Sequence, residues 1–158
     1  MENIRAAAEG KLSSSGRFHY VKLHGSMNWR SSDGKDAMVI GMNKLEQIGN
    51  EPLLEWYYET FKQVLSCQDR RLWVIGYWFG DSHINEVIAR SIAEHGLRWY
   101  PISPNSPKDF KTVLFTRPYG KKLWKGFARY FPYELKDIYP ADQSKTEAEQ
   151  EVIDTLLH

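Results

Sequence analysis

The chain has 158 residues, 42% of them hydrophobic and 26% charged, with a formal net charge of +1. That length supports one domain with a real core, and the near-neutral balance gives no overall pull toward nucleic acid or an anionic membrane. A single cysteine, Cys67, excludes an internal disulfide and a cysteine-based zinc site, and no apolar stretch is long enough to span a bilayer.

Six Trp and nine Tyr mean that rings supply much of the core volume. Residues 1–16 are polar and rich in Ala, Ser and Gly, the composition of a flexible segment. They lack the apolar stretch of a secretory leader, so a cytoplasmic protein is expected. Residues 18–23 read as a strand that ends at Gly25. The run RSSDGKDA, residues 30–37, is a turn-rich loop built on Asp33-Gly34, and residues 38–40 form a short second extended piece. Pro52 suits a first helical position and opens a helix to about Cys67. Its apolar face is Leu54, Tyr57, Tyr58, Phe61, Val64 and Leu65, and Cys67 reads as a small buried hydrophobe.

The continuous apolar run at residues 72–75 predicts a strand buried on both faces. Gly80 breaks the chain, Asp81 or Ser82 caps a helix over about residues 83–94, and Gly96 ends it. Residues 97–102 return as a strand, stopped by SPNSP at 103–107, and residues 113–116 give one more extended segment. Residues 121–131 predict a helix with Leu123, Trp124, Phe127, Tyr130 and Phe131 on one face. The basic, aromatic stretch RPYGKKLWKGFARYFPY (117–133) has the make-up of a nucleic-acid surface. With the rings on one helical face and the lysines elsewhere, it reads instead as a core helix with a solvated side. Residues 141–158 form an acidic amphipathic helix with Val152, Ile153, Leu156 and Leu157 as its apolar stripe.

The alternation of strand and helix predicts an α/β layer with parallel strands, in which ligands bind outside the carboxyl ends of the strands. His24-Gly25-Ser26, Gly76-Tyr77-Trp78 and Ser103-Pro104-Asn105 each come directly after a predicted strand. All three are expected on one edge, around a cleft of nucleotide size. His83 and Asn85 are expected to orient the helix start and the glycine loop, and His19 carries no assigned role.

KLHGSMNW, VIGYWFGDSHINEVI and GLRWYPISP together resemble the C-terminal half of a sirtuin-like NAD-consuming domain. The likeness is to the bacterial sirtuin-like branch, many of whose members act in antiphage defence, and it spans about residues 20–104. It implies an incomplete Rossmann-like, mainly parallel sheet of three to four strands with helices on both faces. Residues 17–140 would be a partial NAD-binding domain, between the flexible 1–16 and the helix at 141–158. His24 would stand beside the nicotinamide ribose as a general base or orienting group, with Gly25 and Ser26 beside the cofactor. Gly76, Tyr77 and Trp78 would approach the phosphates and ribose, and Ser103 and Asn105 the adenosine. The helix start near Asp81 would lend dipole charge to the pyrophosphate, with Asp81 as its cap.

The departures from the family are specific. No residue before Phe18 supplies the family's Gly-rich loop or the Asn and Asp that position nicotinamide and water. Trp78 replaces a small polar residue and crowds the ribose pocket. Without a four-cysteine zinc module, protein deacylation is not expected, and no metal is implied. Two functions stay open. One is the C-terminal half of an NAD hydrolase, making nicotinamide and ADP-ribose and weak or inactive as an isolated chain. The other is a non-catalytic truncated module that binds a nucleotide or a partner. NAD or ADP-ribose is the implied ligand. A strand left unpaired near residues 18–23 or 72–75 implies a homo-oligomer or a partner chain supplying the missing half, unless residues 1–16 fold back over it.

Overall fold

Two short runs rich in branched and aromatic side chains, RLWVI and RWYPI, pair in parallel and organise the second half of the chain. The computed structural model describes residues 22–31, 34 and 36–157. The chain divides into two units, residues 1–64 and 65–158.

In the first unit, β1 (Gly25–Arg30) and β2 (Asp36–Met38) form an antiparallel hairpin with an irregular register between its ends. Helices α1 (Lys44–Asn50) and α2 (Pro52–Leu65) come next. Val39, Ile48 and Leu54 form a core cluster, with Trp29, Tyr57 and Tyr58 packed against it. The strand expected at 18–23 falls mostly outside the described residues. Its last residues are coil and turn, and the strand begins at Gly25 instead of ending there. Gly25 sits at φ 73° and its N–H donates to the Lys22 carbonyl at 3.1 Å, closing a tight turn that feeds β1. Helix α1 has no counterpart in the sequence pattern, and α2 lies where Pro52 places it. The buried face of α2 is narrower than its pattern suggests, because Val64 is exposed while Thr60 is buried. Cys67 is exposed, not buried, since it lies in the turn beyond the last residue of α2.

In the second unit the order is β3 (Arg71–Ile75), α3 (Ser82–His95), β4 (Arg98–Ile102) and α4 (Pro107–Thr116). After these come α5 (Gly120–Leu123), a 3₁₀ turn (Trp124–Gly126), α6 (Leu135–Ile138) and α7 (Glu147–Leu157). Strands β3 and β4 pair from Arg71↔Arg98 to Ile75↔Ile102. A third parallel segment joins the far side of β4 through the bridges Trp99↔Phe127 and Ile102↔Phe131.

Pro101 in the central strand explains the irregularity of that third segment. Ala128 N–H donates to the Trp99 carbonyl at 3.0 Å, and regular pairing would then need a Pro101 N–H to return a bond to Ala128. Proline has none. The next bonds are shifted by one residue: Phe131 N–H to the Pro101 carbonyl at 3.0 Å, and Ser103 N–H to the Phe131 carbonyl at 3.1 Å. The slip sends Phe127 and Phe131 to opposite faces. Phe127 meets Trp99 edge-on at 5.6 Å, and Phe131 lies 5.2 Å from Trp73. On the Phe131 face, Ile102, Ile138, Ala148 and Val152 build a core with Trp73, Tyr100 and Tyr133. On the other, Trp99 packs against Phe79 and Phe110 and donates from Nε1 to the Leu123 carbonyl at 2.7 Å. Helices thus cover both faces of a short, mainly parallel α/β sheet, an incomplete Rossmann-like fold.

Three details differ from the sequence reading. Residues 113–116 are the end of α4, not a strand. The Ser106 hydroxyl accepts from Asp109 N–H at 3.1 Å, Pro107 fills the first turn, and Thr112 and Thr116 return their hydroxyls to carbonyls of the same helix. Within residues 121–131 the α-helix stops at Leu123 and the 3₁₀ turn at Gly126. A Cβ on Gly126 would lie 2.5 Å from Ile92 Cγ1, so the chain runs against α3 there and then extends along β4. Ile75 is 46% exposed, so β3 is not buried along its whole length. No described helix is long and apolar enough to cross a membrane.

Gly120 marks the tightest approach. A Cβ there would fall 1.8 Å from the Leu114 carbonyl oxygen, a backbone atom that cannot yield. Gly120→Ala is expected to cost about 1–3 kcal/mol or more. Gly49→Ala, in α1 with open space around it, is expected to stabilise by about 0.5–1 kcal/mol. Urea unfolding of the two variants checks the pair.

Candidate functional site

Because β3 and β4 are in register up to Ile75↔Ile102, the next residues of each, Gly76 and Ser103, leave the same carboxyl edge side by side. Gly76 has φ 67°, a left-handed turn that glycine takes without strain. Two residues on from Tyr77, Phe79 is also left-handed at φ 54°, is buried, and is not glycine. Such a conformation costs about 1–3 kcal/mol and persists only where its surroundings enforce it. Phe79 is held between Tyr77 at 4.8 Å and Trp99 at 5.2 Å, with Phe110 edge-on at 6.1 Å.

The polar clamp of this loop is Asn85, fully buried on the first turn of α3. Its Nδ2 donates to the Phe79 carbonyl at 2.8 Å and to the Pro118 carbonyl at 2.9 Å, while its Oδ1 accepts from the Tyr77 hydroxyl at 2.9 Å. Every hydrogen-bonding atom of the amide is used. Burial is the main cause that pushes the Tyr77 hydroxyl far above its ordinary range, with the nearby Asp81 charge adding to it. Asp81 occupies the N-cap position of α3 without a side-chain cap bond, and His83 is buried and engaged.

Trp78 is 54% exposed, and the Arg117 guanidinium lies 5.6 Å from its ring. Arg117 Nε is buried and has no hydrogen-bond partner among the described residues. Trp78, Phe79, Phe110, Val113 and Leu114 line a small apolar pocket beside them.

The loop after β4 is clamped from the third parallel segment. The Tyr130 hydroxyl donates to the Asn105 carbonyl at 2.8 Å, with the Ser103 carbonyl 3.3 Å away. Burial raises the Tyr130 hydroxyl above its ordinary range. The Ser103 hydroxyl accepts from Asn105 N–H at 3.4 Å. Among the described residues nothing hydrogen-bonds the Asn105 side-chain amide, which leaves it for a ligand.

His24-Gly25-Ser26 belongs to the first unit. His24 is half-buried in the turn before β1, its carbonyl accepts from Val39 N–H at 2.9 Å, and Ser26 Oγ accepts from Lys22 Nζ at 3.0 Å and donates to Asn28 at 2.6 Å. Within the second unit the structure brings together the predicted stretches after β3 and β4. Sequence reasoning assigns Asn85 correctly and misses Tyr130, Arg117 and Phe79. Tyr130 repeats with a helical face in the sequence, and Arg117 is too far from Trp78 along the chain for spacing to link them.

Asn85→Ala orphans the Phe79 and Pro118 carbonyls, at about 1–3 kcal/mol for each group left unsatisfied, while the Tyr77 hydroxyl keeps the Asp81 carbonyl 3.3 Å away. A loss of at least about 2 kcal/mol by urea unfolding is expected. Tyr77 also sets an alkaline limit. Its ionisation is held off in the folded chain, so above its ordinary value of 10.0 the unfolded chain loses a proton that the folded one keeps, and stability falls with pH. Tyr77→Phe should flatten that fall above about pH 10, measured as melting temperature against pH.

The model of the SIR2-like domain family matches residues 4–124, about three quarters of the chain and beyond the motif-bearing stretch on both sides. No curated protein and no solved structure matches. The third parallel segment and helices α6 and α7 fall after the matched residues. With the family match enclosing both the His-Gly turn and the carboxyl edge of β3 and β4, the chain belongs to the SIR2-like domain family, an NAD-related family.

Proposed function

We propose that this chain is the NAD-handling part of a cytoplasmic sirtuin-like NAD hydrolase of bacterial antiphage defence, which cleaves NAD to nicotinamide and ADP-ribose. One observation carries the reading: Gly76 and Ser103 leave adjacent parallel strands at matched register, in a chain of an NAD-related family. Ligands of open α/β sheets bind at that edge. Gly76 lets backbone approach phosphate, Tyr77 and Trp78 flank the ribose, and Ser103 and Asn105 face the adenosine. Gly25 and Ser26 contact the cofactor, and His24 acts as the base that activates a ribose hydroxyl or a water as the N-glycosidic bond breaks. No metal takes part. The chain forms a homo-oligomer, or a partner chain supplies the groups that position nicotinamide and water.

A second reading is a non-catalytic nucleotide-binding or interaction module. It is favoured by the way the Tyr77, Asn85 and Ser103 side chains are spent inside the fold, which leaves mainly backbone and Asn105 for a ligand.

Titration calorimetry with NAD and ADP-ribose tests binding. Both should bind, and Asn105→Ala should weaken ADP-ribose about two- to tenfold, the worth of one hydrogen bond. Absence of binding by either ligand would overturn the nucleotide site. Chromatography of nicotinamide released by the chain alone is expected to show little or no turnover. Turnover that vanishes in His24→Ala would make the chain a complete catalyst and His24 its base.

A further inference from the structure

The charge of this protein is unevenly placed. Residues 107–129 carry seven lysines and arginines against one acidic residue, Asp109, a local net of +6 in a chain whose total is +1. A continuous helix would bury the rings of this stretch on one side and leave its charges as ordinary solvated surface, and that helix does not exist. Lys108 and Lys111 stand exposed on α4, Lys121 and Lys122 on α5, and Lys125 on the 3₁₀ turn. Among the described residues none of these five forms an ion pair, whereas Lys62, Arg129 and Lys136 do.

Aromatic rings lie among these charges. Phe115, 38% exposed, meets Trp124 edge-on at 5.9 Å, and Trp124 stacks on Phe127 at 4.2 Å and 22°. Lys111 Nζ sits 4.7 Å from the Trp124 ring centre and 5.5 Å from that of Phe115, and Lys122 Nζ lies 5.4 Å from the Tyr119 ring. With Phe127 behind the indole, a flexible ammonium arm is what stands over its rings.

We propose that the face formed by α4, α5 and the 3₁₀ turn binds single-stranded nucleic acid, with Lys111, Lys121, Lys122 and Lys125 on the phosphates and Trp124 with Phe115 as the stacking surface. Uncompensated cations interleaved with rings are what a flexible strand needs, since phosphates supply the attraction and unpaired bases the stacking partner. Lys111 can leave the ring for a phosphate and free the indole for a base. A duplex would use the charges and leave the rings idle. An anionic bilayer would favour rings that project, whereas Trp124 is half-buried and braced by Phe127. The inference is independent of the NAD reading, since none of these side chains is placed at the nucleotide edge.

Fluorescence anisotropy of the full chain with labelled oligothymidylate, with the same strand in a duplex, and with phosphatidylserine-containing vesicles as a separate arm tests it. Single strands should bind tightest, with a log–log salt slope of about −3 for four phosphates neutralised. The double variant Lys121→Glu/Lys125→Glu should weaken binding at least tenfold with an unchanged melting temperature, and Lys111→Gln should weaken it without changing ADP-ribose binding. Duplex bound as tightly as single strand, vesicles bound in place of the oligonucleotide, or affinity that survives the double charge reversal would each overturn the proposal. If the double variant melts early, Lys122→Gln with Lys111→Gln, which removes charge without reversing it, decides on the same criterion.

Discussion

A proline in the middle of a central strand is the constraint on which the second unit turns. Pro101 is buried between β3 and the segment at 127–131, and its missing N–H forces that segment to slip by one residue. A regular strand would put two residues four apart on the same face. The slip puts Phe127 with Trp99 on one face and Phe131 with Trp73 on the other. Both layers of the core are thus closed by one short segment, which also carries Tyr130 to the loop after β4. The defect in the ladder and the packing of the sheet are one feature.

The edge where a ligand would bind is built as a rigid frame. Asn85 ties the β3 loop to the helix behind it and to the turn at Pro118, while Tyr130 ties the β4 loop to its neighbour. Between them, packed rings hold Phe79 in a conformation it would not take in isolation. Preorganisation of this kind lowers the ordering cost of a ligand, because the loops are fixed before it arrives. The same economy limits what the side chains can do. A fully used amide and a buried hydroxyl position backbone well and exchange protons poorly.

Much of this is legible from the sequence, in the places where one physical rule acts alone. Pro52, Gly96 and the run at 72–75 mark their elements because capping, positive φ and the strand preference of a branched, apolar run meet no opposition there. Pattern misleads where tertiary contact overrides it. Leu123, Trp124, Phe127, Tyr130 and Phe131 repeat as a helix would, yet Gly126 packs against α3 and the backbone of β4 captures the segment beyond it. Residues 113–116 look extended because Val and Thr favour strands, but Ser106 and Pro107 have already committed them to a helix. The edge formed by Gly76 and Ser103 comes from the rule for parallel sheets. Of its clamps only Asn85 follows from position at a helix start, and even its bond to Pro118, far away in sequence, is made only by folding.

The helix at Glu147–Leu157 finishes the Phe131 face of the sheet through Ala148 and Val152. It is fixed there by Thr146, which accepts from Glu149 N–H, and by the Arg129–Glu151 ion pair. Trp73, Tyr100 and Ile102 therefore lack part of their cover until residues some fifty positions downstream of β4 have emerged from the ribosome. Translation makes the strands first and the lid last. For that interval the nascent chain leaves an aromatic surface uncovered, the kind of surface that invites association before folding is complete.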